Sequence, residues 1–342
     1  MSISARLELE HDPGVRPRRW PSVFDLIKVG FFAFGFPRNT FGSIDITNRC
    51  NLRCRHCYYY AGPEEDLPHE LDADEWVARL EELTRPRGTF QFFSCTWVGG
   101  DPLLRKDVIA RCKPFFRYNT IVTNGTIPLP DWPDVNWYVS IDGDEAVHES
   151  IRDAEKRFRR GNRPGIYRII MENVRRNQHL GITMAYCISR ANVHCIERVV
   201  KDCYEAGAQH ITFDFFTPVQ GLKDDALWLD HDERDLVIDK LLALRRIYGN
   251  FFVTPDRVFR LMRSDRCRDV TDNCLLRDKS FALDASGRTK GKCVMGDAAD
   301  CDRCGCVVPF YLRSLVDRPL ILGDLATSAV SRSRQLVAAL HA

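Results

Sequence analysis

Fourteen cysteines among 342 residues fall into two groups and a scatter, and the grouping decides what chemistry they could do. Cys50, Cys54 and Cys57 stand in a C-x3-C-x2-C run between Thr47 and Tyr58. Thiolates at that spacing can wrap three corners of a cubane cluster and leave one iron without a protein ligand. An open coordination position is what separates a reactive metal centre from a structural one. Zinc would need a fourth ligand, for which His56 or His69 could be nominated, but the spacing matches no common zinc module.

Cys267, Cys274, Cys293, Cys301, Cys304 and Cys306 gather near the other end. Cys274 and Cys293 flank a hairpin-like segment, Ser280 to Thr289, with Ser286-Gly287 at its turn. Cys301-Asp-Arg-Cys304 follows. A pair on a hairpin plus a C-x2-C makes a four-thiolate set, Cys274, Cys293, Cys301 and Cys304, suited to an auxiliary iron–sulfur cluster. A structural zinc is the alternative, because closed tetrathiolate zinc sites look the same in sequence. Cys267 and Cys306 are left over, either as substitutes for the fourth ligand or as part of a further cluster. The other five, Cys95, Cys112, Cys187, Cys195 and Cys203, lie in apolar segments and read as small buried thiols.

The elements that must carry these groups alternate. Residues 43–47 alternate like a strand, and Asp72 with Glu75 forms a capping box opening a helix to about Arg85. Thr89–Val98, Tyr118–Thr123, Val135–Ile141, Thr183–Ser189 and His210–Phe216 read as further strands. Ile166–Leu180, Val193–Ala206 and His231–Tyr248 read as helices. Strand–helix alternation about six times is the pattern of a parallel sheet with helical crossovers, curling toward a barrel but short of the eight units that close one. The fold class expected is therefore α/β: a partial (β/α)6 barrel over 41–250, chemistry at the C-terminal strand ends, and a small cysteine-rich extension over 251–315. A polar, basic arm with an apolar segment occupies 1–40, and 316–342 form a C-terminal tail.

Composition narrows the partners. With 44% hydrophobic and 28% charged residues the chain reads as an ordinary soluble protein. Lys plus Arg (49) nearly balances Asp plus Glu (47), for a net charge of +2, so charge offers no reason to expect nucleic acid. The N-terminus lacks a secretory pattern, which favours a cytoplasmic setting and reduced thiols over a disulfide scaffold. Val23 to Phe36 is the most apolar stretch, and Asp25 and Lys28 interrupt it. An interfacial membrane anchor, a wall of the substrate pocket, or a helix packed across the barrel are the readings open to it.

The ordered motifs resemble the radical S-adenosylmethionine (SAM) superfamily. Besides Cys50, Cys54 and Cys57, the segment Gly99-Gly100-Asp101-Pro102 at the second strand's end resembles the family's glycine-rich segment, which receives the SAM amino group through backbone carbonyls. The family's usual acid there is Glu, and Asp101 shortens the reach by one methylene. Ser140-Ile-Asp142-Gly143 followed by His148 and Arg152 resembles the S-x-D-G…H-x-x-x-R pattern of the subgroup with SPASM or twitch extensions, and the second cysteine group is similar to a twitch domain. Read alone, GGDP is also a good turn, and Ser140 with Asp142 also fits a strand-end turn. Thr123-Asn124-Gly125 and Ser189 fall at strand ends where short polar groups can reach SAM, and His56 occupies the position where the family usually stacks an aromatic on adenine.

The resemblance implies a [4Fe-4S] cluster bound to SAM, reductive cleavage to a 5′-deoxyadenosyl radical, and hydrogen abstraction from substrate. It also implies an auxiliary [4Fe-4S] cluster and an electron donor such as flavodoxin or ferredoxin. The substrate expected is a small molecule (nucleoside, sugar or lipid-like) in a biosynthetic pathway, undergoing oxidation or C–C or C–X bond formation. A ribosomal-peptide maturase is the alternative, and a non-catalytic metal scaffold is the remote one.

Overall fold

A computed structural model of the chain describes residues 39–61, 67–85, 93–153, 164–220, 225–291 and 293–317. The apolar segment at 23–36, most of the N-terminal arm and nearly all of the tail lie outside the described residues. Six parallel strands follow in sequence: β1 (Phe41–Thr47), β2 (Ser94–Gly99), β3 (Tyr118–Thr123), β4 (Val135–Ile141), β5 (Thr183–Ile188) and β6 (His210–Phe215). The crossovers include α1 (Ala73–Thr84), α2 (Lys106–Cys112), α3 (Glu145–Arg152), α4 (Ile166–Arg176) and α5 (Ile196–Glu205). Strand neighbours are sequence neighbours, so the described sheet has one winding direction, as right-handed βαβ units require.

The strands alternate between two faces. Ile44 and Ile46 of β1, Cys95 and Trp97 of β2, and Trp137, Val139 and Ile141 of β4 belong to the core, which also takes in Trp76 and Leu80 of α1 and Ile170 and Val174 of α4. The residues between them face inward, and the register aligns them: Ser43 with Thr96, Thr96 with Thr120, Tyr138 with Thr183, and Cys187 with Asp214. Parallel-paired residues share a face. The inner wall is consequently rich in hydroxyls and carries two carboxylates, Asp45 and Asp214.

Local signals explain the helix starts. The Asp72 side chain accepts from the N–H groups of Asp74 and Glu75 while Glu75 accepts from the Asp72 N–H at 2.7 Å, an arrangement worth about 1 kcal/mol. Asp230 and Glu233 repeat the box at the start of α6 (His231–Tyr248). The helix expected over 166–180 stops at Arg176 and continues as a 3-10 turn to Leu180, ended by Gly181 at φ 68.

One strand escaped the alternation pattern. After α7 (Asp256–Leu261), α8 (Cys267–Asp272) and α9 (Leu275–Lys279), β7 (Phe281–Leu283) pairs in parallel with β1, extending the sheet order to β6-β5-β4-β3-β2-β1-β7. The expected hairpin is present in short form: Leu283 bridges Thr289 antiparallel, flanked by Asp284 N–H to Arg288 O at 2.8 Å and Lys290 N–H to Ala282 O at 2.7 Å. A strand edge with unpaired amides is satisfied by whatever apolar strand reaches it, and here that strand comes from the cysteine-rich segment. α10 (Val307–Val316) packs against α7, α8 and α9.

Candidate functional site

The loop leaving β1 carries the first three thiols. Leu52 N–H and Asn124 Nδ2 donate to Cys50 Sγ at 3.4 and 3.7 Å. The loop is held by Arg53, whose Nη1 bonds the carbonyls of Cys50 and Leu52 and whose guanidinium stacks 4.0 Å from the Tyr60 ring. Tyr59 Oη donates to Asn48 Oδ1 at 2.6 Å, and Arg55 N–H donates to Ile151 O at 2.9 Å. Burial, with smaller contributions from Asp101 and Cys57, pushes the Cys50 thiol up to about 11; burial also raises Cys54 and Cys57, and Cys50 and Cys57 add to the rise of Cys54. Neighbouring Arg152 and the backbone N–H groups of Tyr59 and Tyr60 act in the opposite direction on Cys57. Buried thiols that resist ionising alone, beside N–H donors that favour the anion, suit a polycationic iron–sulfur core that supplies the missing charge.

Two glycines bring the second loop against this one. Gly99 has φ +119, a region that excludes most side chains, and a Cβ on Gly100 would lie 2.1 Å from Arg49 O. The approach is fixed by Gly100 N–H to Thr47 O and Asp101 N–H to Arg49 O, both 2.8 Å. Asp101 is buried and fully engaged. It accepts from Leu103 N–H at 3.0 Å, Thr123 Oγ1 at 2.8 Å and Asn124 N–H at 2.8 Å, so its carboxylate clamps two loops together. Pro102 follows as the first residue of a 3-10 turn in which it and Leu103 are buried. Asn124 in turn donates to Asn51 Oδ1 at 2.8 Å.

Beyond β4 lies a buried charged network. Arg152 Nε is 2.5 Å from Asp142 Oδ2, and His56 Nε2 is 3.4 Å from the same oxygen. Arg152 beside it holds the Asp142 carboxyl below its usual range against the opposing effect of burial. Burial pushes His148 down to about 3, so its neutral Nδ1 accepts from the Asp142 N–H at 3.0 Å. Asp142 Oδ1 and His56 Nδ1 are buried without hydrogen-bond partners, which leaves an acceptor and an imidazole nitrogen available to a bound cofactor. Ser140 is half-buried on the inner face of β4, and Ser189 is buried at the end of β5, where Asn192 Oδ1 accepts its N–H at 2.7 Å.

The C-terminal thiols sort themselves by partner. Cys304 is raised to about 12, chiefly by burial, with Cys274, Cys293 and Cys301 contributing to the rise, so these three thiols neighbour it. Cys267 instead faces His231 Nδ1 at 3.5 Å. Cys306 bonds Asp214, whose carboxylate also accepts from Val307 N–H at 2.7 Å. The two thiols that sequence left over thus have other commitments. Of the five scattered thiols, Cys95, Cys112, Cys195 and Cys203 are in the core, whereas Cys187 faces inward beside Asp214. All fourteen are free of disulfides. Among the described residues no three His, Cys, Asp or Glu side chains converge as one metal ion would require.

Sequence reasoning missed the link between the two thiol groups. Lys290 reaches from the cysteine-rich segment to Asp45 on β1, and its Nζ lies 5.7 and 5.8 Å from the Tyr58 and Tyr59 ring centroids. Tyr58 follows Cys57 directly and is close enough to Cys293 to feel its charge. Asp45 Oδ1 is buried and has no hydrogen-bond partner. The only signal available was an acid at an inward position of a strand.

Residues 44–203 match the Radical SAM superfamily. Pre-heme d1 synthase of Dinoroseobacter shibae is 28% identical over 212 residues, covering 58% of this chain and 49% of that protein. The sporulation killing factor maturation protein SkfB of Bacillus subtilis is 24% identical over 224 residues, covering 61% and 50%. The chain thus spans about half the length of these relatives. Streptococcus suis SuiB, in its complex with the precursor peptide SuiA, has a similar fold, with a TM-score of 0.59 at 12% identity over 93% of this chain and 75% of that one.

Proposed function

We propose that this chain, whose residues 44–203 match the Radical SAM superfamily, is a radical SAM enzyme that abstracts hydrogen from a small, polar substrate held on the inner face of the sheet. The observation that carries the reading is the gathering of Cys50, Cys54 and Cys57 against the Gly99–Gly100 loop and the Asp142–Arg152 pair. In this reading those three cysteines hold the SAM-binding [4Fe-4S] cluster, and Cys274, Cys293, Cys301 and Cys304 hold an auxiliary one. When bound, the first cluster supplies an electron that splits SAM to methionine and the 5′-deoxyadenosyl radical.

The chain's own residues orient and enclose. The carbonyls of Gly99 and Gly100 receive the amino group of SAM, while Asp101 and Pro102 fix that loop and Asn124 braces it on the cluster loop. Asp142 Oδ1, His56 Nδ1, Ser140 and Ser189 line the approach of the adenosine moiety, with Arg152 holding Asp142 ionised. A primary carbon radical reacts with whatever lies beside it, so position and exclusion of water determine the outcome. The hydroxyl-rich inner wall, with Ser43, Thr96, Thr120 and Asp45, favours a substrate bearing hydroxyl or amide groups over a lipid-like one. A flavodoxin or ferredoxin would deliver the electron. Among the described residues no helix is long and apolar enough to cross a membrane.

Peptide maturation is the second reading, favoured by the match to SkfB. Reduced, reconstituted protein is expected to release 5′-deoxyadenosine from SAM, and Cys54→Ala to release none. Stimulation of that release by hydroxylated small molecules, against none by peptides, decides between the substrate classes. Release undiminished in Cys54→Ala would overturn the cluster assignment.

A further inference from the structure

Arg234, the fourth residue of α6, is 2% exposed; the charge of Asp230 is felt there, but every hydrogen-bond partner of its guanidinium is neutral. Nε donates to Leu229 O at 3.1 Å, Nη1 to Cys304 O at 2.8 Å, and Nη2 to Arg303 O at 2.9 Å and Phe216 O at 3.4 Å. The Phe215 and Trp228 rings lie 5.2 and 5.6 Å from its central carbon. No carboxylate forms an ion pair with it among the described residues. The contrast is with Arg152, the cation near Cys54 and Cys57, which is tied to Asp142 at 2.5 Å. A guanidinium stays protonated in a protein, and a buried charge without a counterion is unfavourable. Four carbonyl dipoles offset part of that cost. Beside it, the buried indole N–H of Trp228 has no acceptor.

We propose that Arg234 is the counter-charge of the auxiliary cluster and raises its reduction potential. The inference rests on the reading that Cys274, Cys293, Cys301 and Cys304 hold such a cluster. Two of its four carbonyl partners belong to Arg303 and Cys304, so the guanidinium lies within one residue's length of a ligand thiol. A four-thiolate [4Fe-4S] centre is dianionic when oxidised and gains one more negative charge on reduction. A fixed cation beside it stabilises the reduced form more than the oxidised form. At an effective dielectric of about 20, a unit charge within roughly 10 Å changes the ratio of the two by about tenfold. Arg234 acts on the cluster and touches no substrate, so it is a positioning residue that tunes electron acceptance at the far thiol group.

The test is an EPR-monitored redox titration of the reconstituted full-length chain in a Cys54→Ala background, where the SAM cluster is removed. About four irons per chain in that background are required for an auxiliary [4Fe-4S] cluster, and their absence overturns the cluster reading itself. With the cluster loaded, Arg234→Gln is expected to lower the reduced-to-oxidised ratio at fixed potential about tenfold, a shift of about 59 mV for one electron. Arg234→Lys, which keeps the charge but cannot span four carbonyls, is expected to titrate close to the parent. If both variants load iron and titrate with the parent, Arg234 does not tune the cluster. If Arg234→Gln loses the iron, Arg234→Lys decides: loading at the parental potential supports the charge role, whereas loss of iron there assigns Arg234 only to bracing the turn and overturns the inference.

Discussion

Lys290 Nζ lies 2.6 Å from Asp45 Oδ2 across 245 positions of sequence, tying the cysteine-rich segment to the first barrel strand. Both side chains are mostly buried, at 14% and 2% exposure. Removing one partner of such a pair leaves an uncompensated charge and costs about 3–5 kcal/mol, whereas replacing both by apolar groups is often near neutral. Lys290→Met and Asp45→Leu are each expected to destabilise by about 3 kcal/mol, and the double variant by well under the sum. Denaturant unfolding of the four proteins checks this, and strictly additive losses would show that the two charges do not interact.

Burial raises the Asp45 carboxyl to about 6 in spite of Lys290, with the charge of Asp284 adding to the rise. A carboxyl whose folded pKa lies above its unfolded value binds more protons in the folded state. Its contribution therefore favours folding at low pH and is lost as pH rises toward the folded value. Between pH 5 and 7 the loss amounts to about 1 kcal/mol. The stability of Asp45→Asn relative to the parent should improve by that amount over the same interval, measured by denaturant unfolding. A constant difference would place the Asp45 pKa in its ordinary range.

Much of this architecture was readable because it depends on local period and spacing. β3 and β4 have the boundaries expected of their runs, and α1 opens at the Asp72–Glu75 capping box as predicted, since a β-branched and aromatic run and an Asp–Glu capping box are local properties. The cysteine runs were equally local. What could not be read were contacts fixed only by closure of the fold. The partnership of Lys290 with Asp45, the pairing of Phe281–Leu283 with β1, and the burial of Arg234 among carbonyls join segments far apart in sequence. Asp101 was legible as part of a glycine-rich motif, but its commitment to Thr123 and Asn124 depends on how two strand ends meet.

That commitment makes Asp101 a clamp whose loss should be felt in two places. Asp101→Ala leaves the N–H groups of Leu103 and Asn124 and the Thr123 hydroxyl without their acceptor. Each unsatisfied buried donor costs about 1–3 kcal/mol, so the variant is expected to lose about 3 kcal/mol of stability or more. Because Asn124 also bonds Cys50 Sγ and Asn51, SAM affinity should fall with it, by about tenfold for each 1.4 kcal/mol transmitted. Thermal unfolding and equilibrium SAM binding to the reconstituted protein measure the two effects. A stable variant with parental affinity would deny the clamp.

Arg152 is the cation on which the opposite wall depends. It holds Asp142 ionised at 2.5 Å, and the two imidazoles nearby cannot replace it: burial lowers His56, and His148 is neutral with its Nδ1 committed to the Asp142 N–H. The depressed folded pKa of Asp142 means that its contribution to stability is present above the ordinary carboxylate range and is lost as pH falls through the folded value. Arg152→Met removes the cause of that depression and strands a buried carboxylate, at a cost of about 3–5 kcal/mol near neutral pH. Acidification protonates the stranded Asp142, so the gap between variant and parent should narrow toward pH 5. Arg152→Lys keeps a charge but loses the guanidinium geometry, and it should recover part of the loss. Unfolding free energies of the three proteins at pH 5 and pH 7.5 test this, and an equal gap between Arg152→Met and the parent at both would show that Arg152 does not hold Asp142 ionised.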